Sequence, residues 1–368
     1  MSAANLESQI ASGRQTIKSD GYPMSIGELT NLYRDGELYI NAAFQRFFRW
    51  EPEQKSRLIE SILLGIPIPS IFVSQAEDGK WELVDGLQRV STLLELQGLL
   101  SGRDGNPLPQ LKMTGTKYLP DLDGMVWEDD DSTICLSEAQ RLDIKRAKLD
   151  IKIIQRTSSP RTKFDLFQRL NGYGSPLTAQ EMRSALVLSV QPDFYNWVEA
   201  LALKDAFTET TRLTETDVEE KYDIELVLRF LILHNWTDVS YTAFRNFSGV
   251  LDDQSVALAE SFPMGFDRLE EIFDETFSVL SSEGGPDVFR KWDAHKGFSR
   301  GFLNTAYEVV ALGLGYRVAN RMTYRTDIKN AVIELWSRDD MTTRFATGLS
   351  TETRLTRMIP LGRELLAV

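Results

Sequence analysis

The spacing of apolar residues separates an N-terminal part, where short alternating runs mix with amphipathic helices, from a C-terminal part that is helical almost throughout. The helical periodicity takes over from about Pro192, and the pair Asp78-Gly79 predicts a hairpin turn between two strands in the first part. The segments predicted as helices are 24–36, 53–65, 87–100, 137–147, 161–171 and 178–189, and those predicted as strands are 37–41, 70–75, 81–85 and 149–155.

This order of elements predicts a small domain of mixed helices and strands, followed by an all-α domain. The boundary is predicted near residue 190, where alternation ends. Residues 1–22 are polar, show no periodicity and are predicted to be a flexible, loosely attached N-terminus. The predicted domains are therefore 23–190 and 191–368.

Composition narrows the classes of protein that fit. The chain has 368 residues, 42% of them hydrophobic, which is enough for two packed cores. It contains no run of about eighteen apolar residues, and its polar N-terminus does not resemble a signal peptide. Cys135 is the single cysteine, so a disulfide framework within one chain is excluded. We expect a cytoplasmic protein that makes no contact with a membrane.

Charge is distributed unevenly along the chain. The formal net charge is −13, which argues against a protein that coats nucleic acid without specificity. From Pro286 to Val368, however, 13 Lys and Arg stand against 9 Asp and Glu. This excess fits either a solvated helical surface or a basic face for a polyanion or an acidic partner.

The segment 81–96 carries the most suggestive chemistry. A hydrophobic strand ends at Asp85, Gly86 permits a tight turn, and a helix follows at once. A helix N-terminus offers unpaired N–H groups and a positive dipole end, so an anion is favoured there. Asp85 is placed to bind a metal that accompanies phosphates or to orient a water. The side chains that could bond phosphate or sugar oxygens are Gln88, Arg89, Ser91 and Thr92.

Two interpretations of this turn remain open from the residues alone. It is either an anion site or an ordinary strand–turn–helix in which Arg89 pairs with Asp85. The segment 44–50, FQRFFRW, has a similar ambiguity. Its interleaved arginines and aromatics suit a base and its phosphates, but the same aromatics could simply be core residues with solvated arginines between them.

Four ordered motifs over residues 24–190 resemble a known family. They are F-Q-R-x-x-x-W, S-I-L-L-G-I-P-I-P, D-G-L-Q-R and F-x-R-L-N-x-x-G-x-P-L-T-x-x-E. Together they resemble the N-terminal domain of GmrSD-type modification-dependent restriction enzymes, in the ParB/sulfiredoxin-fold superfamily. The usual motif of that family is D-G-Q-Q-R, so Leu87 replaces its first glutamine here, and any bond made by that side chain is lost.

The resemblance implies an α+β protein with a ParB/sulfiredoxin-like, small mixed-sheet nucleotide-binding domain before the helical domain. Such domains are implicated in binding or hydrolysing a nucleoside triphosphate (NTP) with Mg²⁺ to regulate DNA cleavage. Asp85 and Arg89 would be catalytic, and Asp85 would also hold the metal. The segment 167–181 would form an adjacent wall, although it could instead be a capped helix–turn–helix without ligand contact. The nucleotide-binding residues implied are Gln45, Arg46, Gly86, Gln88, Ser91, Thr92, Arg169, Asn171 and Gly172.

Other catalytic signatures are weak. The chain has no G-x-x-x-x-G-K-[ST] loop, and its two histidines, His234 and His295, lie in segments without a second metal ligand. Asp150 and Lys152 form a D-x-K pair that strand alternation explains equally well. We therefore do not expect a stand-alone nuclease.

The sequence thus predicts a prokaryotic anti-phage defence or restriction component that regulates DNA targeting or a partner effector. The partners considered are an NTP, DNA, a separate nuclease or toxin, and a second copy of the chain in a homo-oligomer. The alternative is a non-catalytic DNA- or protein-binding sensor whose nucleotide pocket has decayed.

Overall fold

The chain divides into two compact units, Met1–Pro176 and Leu177–Val368. In the computed structural model, the described residues are 19–40, 50–76, 78–102, 106–154, 178–237, 242–342 and 350–368. The division comes before helix Ala179–Val190, which the predicted boundary near residue 190 had assigned to the first domain.

The first unit is organised around a five-stranded mixed sheet in its described residues, with the order β1-β5-β3-β4-β2. The pairs β1–β5 and β3–β4 are antiparallel, whereas β2–β4 and β3–β5 are parallel. This mixed sheet confirms the predicted α+β class. The strands are β1 (Ser19–Ser25), β2 (Leu38–Tyr39), β3 (Ile71–Gln75), β4 (Trp81–Asp85) and β5 (Lys148–Ile154).

The prediction of a flexible N-terminus over 1–22 is wrong for residues 19–22, which belong to β1 and pair with β5. Residues 1–18 lie outside the described residues. Its sequence SDGYPMS contains aspartate, glycine and proline, which are all depleted in strands. The strand forms at the edge of the sheet, where proline is tolerated because one side of the strand needs no ladder partner. Pairing with a distant strand, rather than local propensity, determines its structure.

The described helices of the first unit agree with the predicted pattern, and the helix predicted over 161–171 lies outside the described residues. Ser25 caps the first helix by accepting a hydrogen bond from the Glu28 N–H at 3.1 Å, as its sequence predicts. The helix predicted over 87–100 ends earlier, because Gly98 adopts a positive φ of 68° after its last turn. The helices are α1 (Ile26–Arg34), α2 (Pro52–Leu63), α3 (Leu87–Leu96) and α4 (Glu138–Arg146).

The core of this unit joins the helices to the buried strand residues, among them Ile71, Val73 and Ile151. The long segment after α3 is anchored on α2, where the Glu60 carboxylate accepts hydrogen bonds from the Thr116 hydroxyl at 2.5 Å and the Tyr118 N–H at 2.8 Å.

The second unit is mainly helical, but it is not all-α as predicted. Strands β6 (Trp292–Asp293) and β7 (Gly297–Phe298) form a short antiparallel hairpin. The helices are α5 (Ala179–Val190), α6 (Pro192–Ala202), α7 (Asp205–Thr211), α8 (Glu215–Glu219), α9 (Tyr222–Leu233), α10 (Phe247–Ser261), α11 (Phe266–Val279), α12 (Asn304–Ala319), α13 (Ile328–Ser337), α14 (Asp339–Thr342) and α15 (Thr351–Leu365).

Helices α12 and α15 pack at very short distance. A Cβ added to Gly313 would lie 2.4 Å from the carbonyl oxygen of Gly362, so only glycine fits at this crossing. The close approach brings the polar residues near the start of α15 against α12. Within the described residues, no helix is both long enough and apolar enough to cross a membrane.

Candidate functional site

The turn between β4 and α3 is shaped by an irregularity in the sheet. Phe72 pairs with Asp85 but Val73 pairs with Leu83, so Val84 is an extra residue in β4. Such a bulge bends a strand and changes the direction of the side chains that follow it. Asp85 thus stands at the end of a strand whose last pairing is displaced by one residue.

This turn requires glycine at position 86 because of its backbone conformation and because Ile71 leaves no room for a side chain. Its φ is 101°, a conformation that side-chain-bearing residues rarely adopt. A Cβ at this position would lie 2.4 Å from Ile71 Cδ1. The side chain of Ile71 therefore occupies the space beside Gly86 and leaves no room for a larger residue.

The N-terminus of α3 has no side-chain cap. Gly86 is its N-cap residue and offers no oxygen to the first-turn N–H groups. The other described helices of this unit differ, since Ser25, Glu51 and Ser137 each cap their helix with a side chain. An uncapped N-terminus keeps its N–H groups and the positive end of its dipole for another acceptor.

Arg89 is engaged by its own unit. Its Nη2 donates to Asp85 Oδ2 at 2.8 Å, and its Nη1 donates to the carbonyl oxygens of Pro69 and Ser70, at 2.5 Å and 3.0 Å. The side chains of Arg89 and Asp85 are only 12% and 17% exposed. The pairing of Arg89 with Asp85, one of the two interpretations left open by the sequence, is present.

Burial has the largest effect on the pKa values of Asp85 and Arg89. Burial raises the pKa of Asp85 above its ordinary value, although the Arg89 guanidinium and the Gly86 N–H act in the opposite direction. Burial likewise lowers the pKa of Arg89, and the attraction of Asp85 compensates only in part. The pair is held together by attraction, yet both charges are partly desolvated.

Gln88 joins two of the sequence motifs. Its Oε1 accepts a hydrogen bond from the Trp50 N–H at 3.1 Å, so the last residue of the aromatic-basic segment lies against the first turn of α3. A second link between α2 and α3 is the ion pair of Lys55 with Glu95, at 2.8 Å. Leu87 packs against the hydrophobic core, which explains an apolar residue where the family motif has glutamine.

The other two polar residues predicted on α3 are buried. Ser91 and Thr92 are both 0% exposed. The Thr92 hydroxyl donates to the Gln88 carbonyl at 2.6 Å, and the Ser91 hydroxyl has no hydrogen-bond partner among the described residues. The accessible part of the predicted site consequently centres on the turn itself.

The remaining predicted nucleotide-binding residues lie outside the described residues. They are Gln45, Arg46, Arg169, Asn171 and Gly172, and the whole segment 155–177 is among the undescribed ranges. Their roles stay predictions.

The candidate nuclease features separate in the fold. Asp150 is exposed on β5 and stands opposite Pro23 of β1, while the next residue, Ile151, is fully buried, as strand alternation predicts. His234 is buried against Phe230, whereas His295 is exposed. In the described ranges, no three His, Cys, Asp or Glu residues are grouped as a metal site would need.

Sequence reasoning missed the partners that complete the turn. The carbonyls of Pro69 and Ser70, directly before β3, accept hydrogen bonds from Arg89. Backbone carbonyls carry no residue-type signal, and the strand pairing that brings them to Arg89 is a long-range feature.

Residues 26–188 match a family model described as the GmrSD restriction endonuclease, N-terminal domain. The matched segment contains the Asp85–Arg89 turn, supports the resemblance seen in the motifs, and points to a protein with a restriction-related role. No curated protein and no solved structure matches the chain. The assignment to the ParB/sulfiredoxin-fold superfamily stays a prediction.

Proposed function

We propose that this protein is a restriction- or defence-type component whose first unit binds an NTP at the Asp85–Arg89 turn. The bound nucleotide regulates DNA targeting or a partner effector such as a nuclease or toxin. The observation that carries the proposal is the uncapped N-terminus of α3, which lies inside the segment that matches the GmrSD N-terminal domain.

In this proposal, Arg89 prepares the site by neutralising Asp85. An unpaired carboxylate beside the helix N-terminus would repel phosphates, whereas the pair leaves the positive end of the α3 dipole for a phosphate. Gln88 ties this turn to Trp50, the last residue of the aromatic-basic segment, and Trp50 would then lie beside the bound nucleotide.

Asp85 also fits a role toward Mg²⁺. In nucleotide sites, Mg²⁺ commonly uses only one or two carboxylates and takes its other ligands from phosphates and water. A single partly exposed carboxylate is therefore sufficient, and Mg²⁺ would share the Asp85 carboxylate with Arg89, which donates to Oδ2.

Calorimetric titration of the full chain with ATP, GTP, CTP and UTP tests this proposal. We expect one of them to bind more tightly with Mg²⁺ than with EDTA, and Asp85→Asn to reduce that difference. The matched control is Asp123→Asn, because Asp123 is an exposed carboxylate of the same unit that also accepts a backbone N–H, from Gly115 at 3.3 Å. If no NTP binds, or both variants respond to Mg²⁺ like the parent, the proposal is wrong.

The sensor alternative has its own supporting observation, an exposed basic hairpin in the second unit. Lys291, Lys296 and Arg300 are exposed around β6 and β7, in a chain with a net charge of −13. The hairpin base is fixed because the Trp336 Nε1–H donates to the Arg290 carbonyl at 2.9 Å. A rigid basic ribbon suits contact with DNA phosphates.

Binding of a DNA duplex at several salt concentrations tests the hairpin. Replacing Lys296 and Arg300 together by glutamine removes two phosphate contacts, so the slope of log affinity against log salt should fall by about 1.8. Lys329→Gln, an exposed lysine on α13, is the control. DNA binding without any NTP binding would favour the sensor, whereas an unchanged slope would exclude this hairpin as the DNA contact.

The proposal assigns DNA cleavage to a partner. We expect the isolated chain, incubated with Mg²⁺ or Mn²⁺, each NTP and plain or modified DNA, to show no efficient cleavage. Efficient cleavage that Asp150→Ala abolishes would show instead that the D-x-K pair on β5 is catalytic and that no partner nuclease is needed.

A further inference from the structure

The second unit contains a polar cavity of about 560 Å³ where the first turns of three helices meet. None of its residues belongs to the Asp85–Arg89 turn, and the sequence patterns did not single it out. Its lining residues from the starts of α5, α10 and α15 include Ala179, Asn246, Phe247, Ser248, Ser350 and Thr351.

Each of the three helices is capped by one side chain that satisfies only one N–H group. The cap residues accept the N–H of the third helical residue. At α5 and α15 the N–H groups of the first two residues have no partner within the helix, whereas α10 directly continues the 3₁₀ helix Thr242–Asn246. The positive ends of α5 and α15 thus face one space beside the start of α10, which favours a negatively charged occupant. The cap pairs are Thr178 with Glu181 at 3.1 Å, Asn246 with Gly249 at 3.3 Å, and Ser350 with Thr353 at 3.3 Å.

Two arginines, Arg183 and Arg229, are part of the cavity wall. Arg183 is 1% exposed and is fixed by Asp252 at 2.8 Å, and its Nη2 donates to the Ser248 hydroxyl at 3.3 Å. Arg229 lies over the ring of Phe247, and its buried Nε–H has no acceptor among the described residues. Both guanidinium groups are held in place by their partners, and the Arg229 Nε–H is the one donor of the two that lacks an acceptor in the described part of the chain.

The rim adds an accessible guanidinium. The side chain of Arg245 is 76% exposed and meets Glu352 at 3.2 Å. The charged residues in the cavity lining are Arg183, Arg229 and Arg245 against Glu225 and Glu352. The other carboxylates paired with the two wall arginines, Asp252 and Glu308, are not part of that lining. Within the lining alone the arginines outnumber the carboxylates by one, and Asp252 and Glu308 compensate the wall arginines from outside it.

We propose that this cavity binds a small phosphate-bearing anion about the size of a mononucleotide. The phosphate would be held by the N–H groups at the helix starts and by Arg245, in front of the fixed arginines of the wall. The site is separate from the NTP site proposed in the first unit, and either proposal can fail while the other holds.

Calorimetric titration of the full chain with inorganic pyrophosphate and with AMP tests the proposal. Thr351→Asp places a carboxylate in the first turn of α15, where it is favourable to the helix but repels an anion in the cavity. We expect this variant to keep the melting temperature of the parent and to lose binding. Arg245→Ala should weaken binding roughly tenfold, because it removes one charge-assisted bond at an exposed position.

Two controls locate the effect. Arg268→Ala removes a half-exposed arginine of the same unit that pairs with Glu271 outside the cavity, and it should bind like the parent. Gln88→Glu should also leave binding at the cavity unchanged. The proposal is overturned if neither anion binds, if Thr351→Asp binds as tightly as the parent, or if only Gln88→Glu removes binding. Tighter binding of AMP than of pyrophosphate would assign the site to a nucleotide, and the reverse order to a free polyphosphate.

Discussion

The two units bury arginine–carboxylate pairs in different ways. In the first unit, Asp85 and Arg89 form one pair, four residues apart, at an uncapped helix N-terminus. In the second unit, several pairs join helices that are distant in the chain. Glu308, only 1% exposed, binds Arg354 through both oxygens at 2.7 Å and 2.9 Å and lies 3.5 Å from Arg229, which also pairs with Glu225.

This difference indicates a division of roles. A buried network with many partners fixes helices relative to one another, and removing one member leaves an uncompensated charge. A single pair at a helix start can exchange one partner for a ligand at much smaller cost. We therefore infer that the network holds the helices of the second unit in fixed positions. The Asp85–Arg89 turn, in contrast, can change its contacts when a ligand binds.

The largest expected effect is the loss of a charge from the network. Glu308→Gln leaves Arg354 without its carboxylate and Arg229 with Glu225 alone, so the free energy of unfolding should fall by about 3–5 kcal/mol. Glu271→Gln, in an exposed pair with Arg268, should change it by about 0–1 kcal/mol. Guanidinium denaturation compares the two, and equal effects would remove the distinction between the network and surface pairs.

Arg89→Ala should have an intermediate effect. It removes bonds to Asp85 and to two carbonyls, which is worth about 1.5–3 kcal/mol. Because burial already raises the pKa of Asp85, its carboxyl can take up a proton and relieve the unpaired charge. The destabilisation relative to the parent, measured by denaturation, should therefore be smaller at pH 4 than at pH 7. A constant difference would show that Asp85 stays charged.

His234 should make the second unit less stable as the pH falls, whereas acid should reduce the destabilisation caused by Arg89→Ala in the first unit. Burial lowers its pKa, so the unfolded chain takes up a proton from about pH 6.5 downward while the folded chain resists. The stability contributed by neutral His234 is present above that pH and is lost as pH falls, by at most about 1.4 kcal/mol per pH unit. Denaturation curves of the parent and His234→Gln should converge as the pH is lowered. Parallel curves would contradict the assignment.

The smallest effect belongs to an exposed pair. Arg325 lowers the pKa of Asp327 to about 2, from an ordinary value of 3.8. The stability this gives is present above pH 3.8 and is lost as pH falls from there toward 2. Asp327→Asn should therefore lower the stability at pH 7 only slightly, as expected for an exposed pair, and the difference from the parent should disappear as pH falls toward 2. A large loss at pH 7 would place this pair with the buried network.

Local features were predictable from the sequence. The caps at Ser25 and Thr178, the hairpin between β3 and β4, and the Asp85–Gly86 turn all depend on residues within a few positions of one another. The bulge at Val84 and the Pro69 and Ser70 carbonyls beside Arg89 depend on strand pairing that periodicity does not encode.

The cavity of the second unit could not be predicted for the same reason. Its residues come from 179, 245 and 350, and each shows only an ordinary cap or a solvated arginine in the sequence. Strand β1 was missed because its residues are poor strand formers, and its partner β5 lies far along the chain. Tertiary pairing, not composition, creates these features.

Nucleotide binding at the start of α3 is the central proposal for this protein. One pair of variants tests this binding directly. Gln88→Glu keeps an oxygen for the Trp50 N–H and places a negative charge where phosphates should lie. Gln110→Glu makes the same change at an exposed residue whose oxygen accepts the Glu128 N–H. Calorimetric titration with the preferred NTP should show at least a tenfold loss of affinity, about 1.4 kcal/mol, for the first variant and none for the second. Equal affinities in both variants would contradict the account.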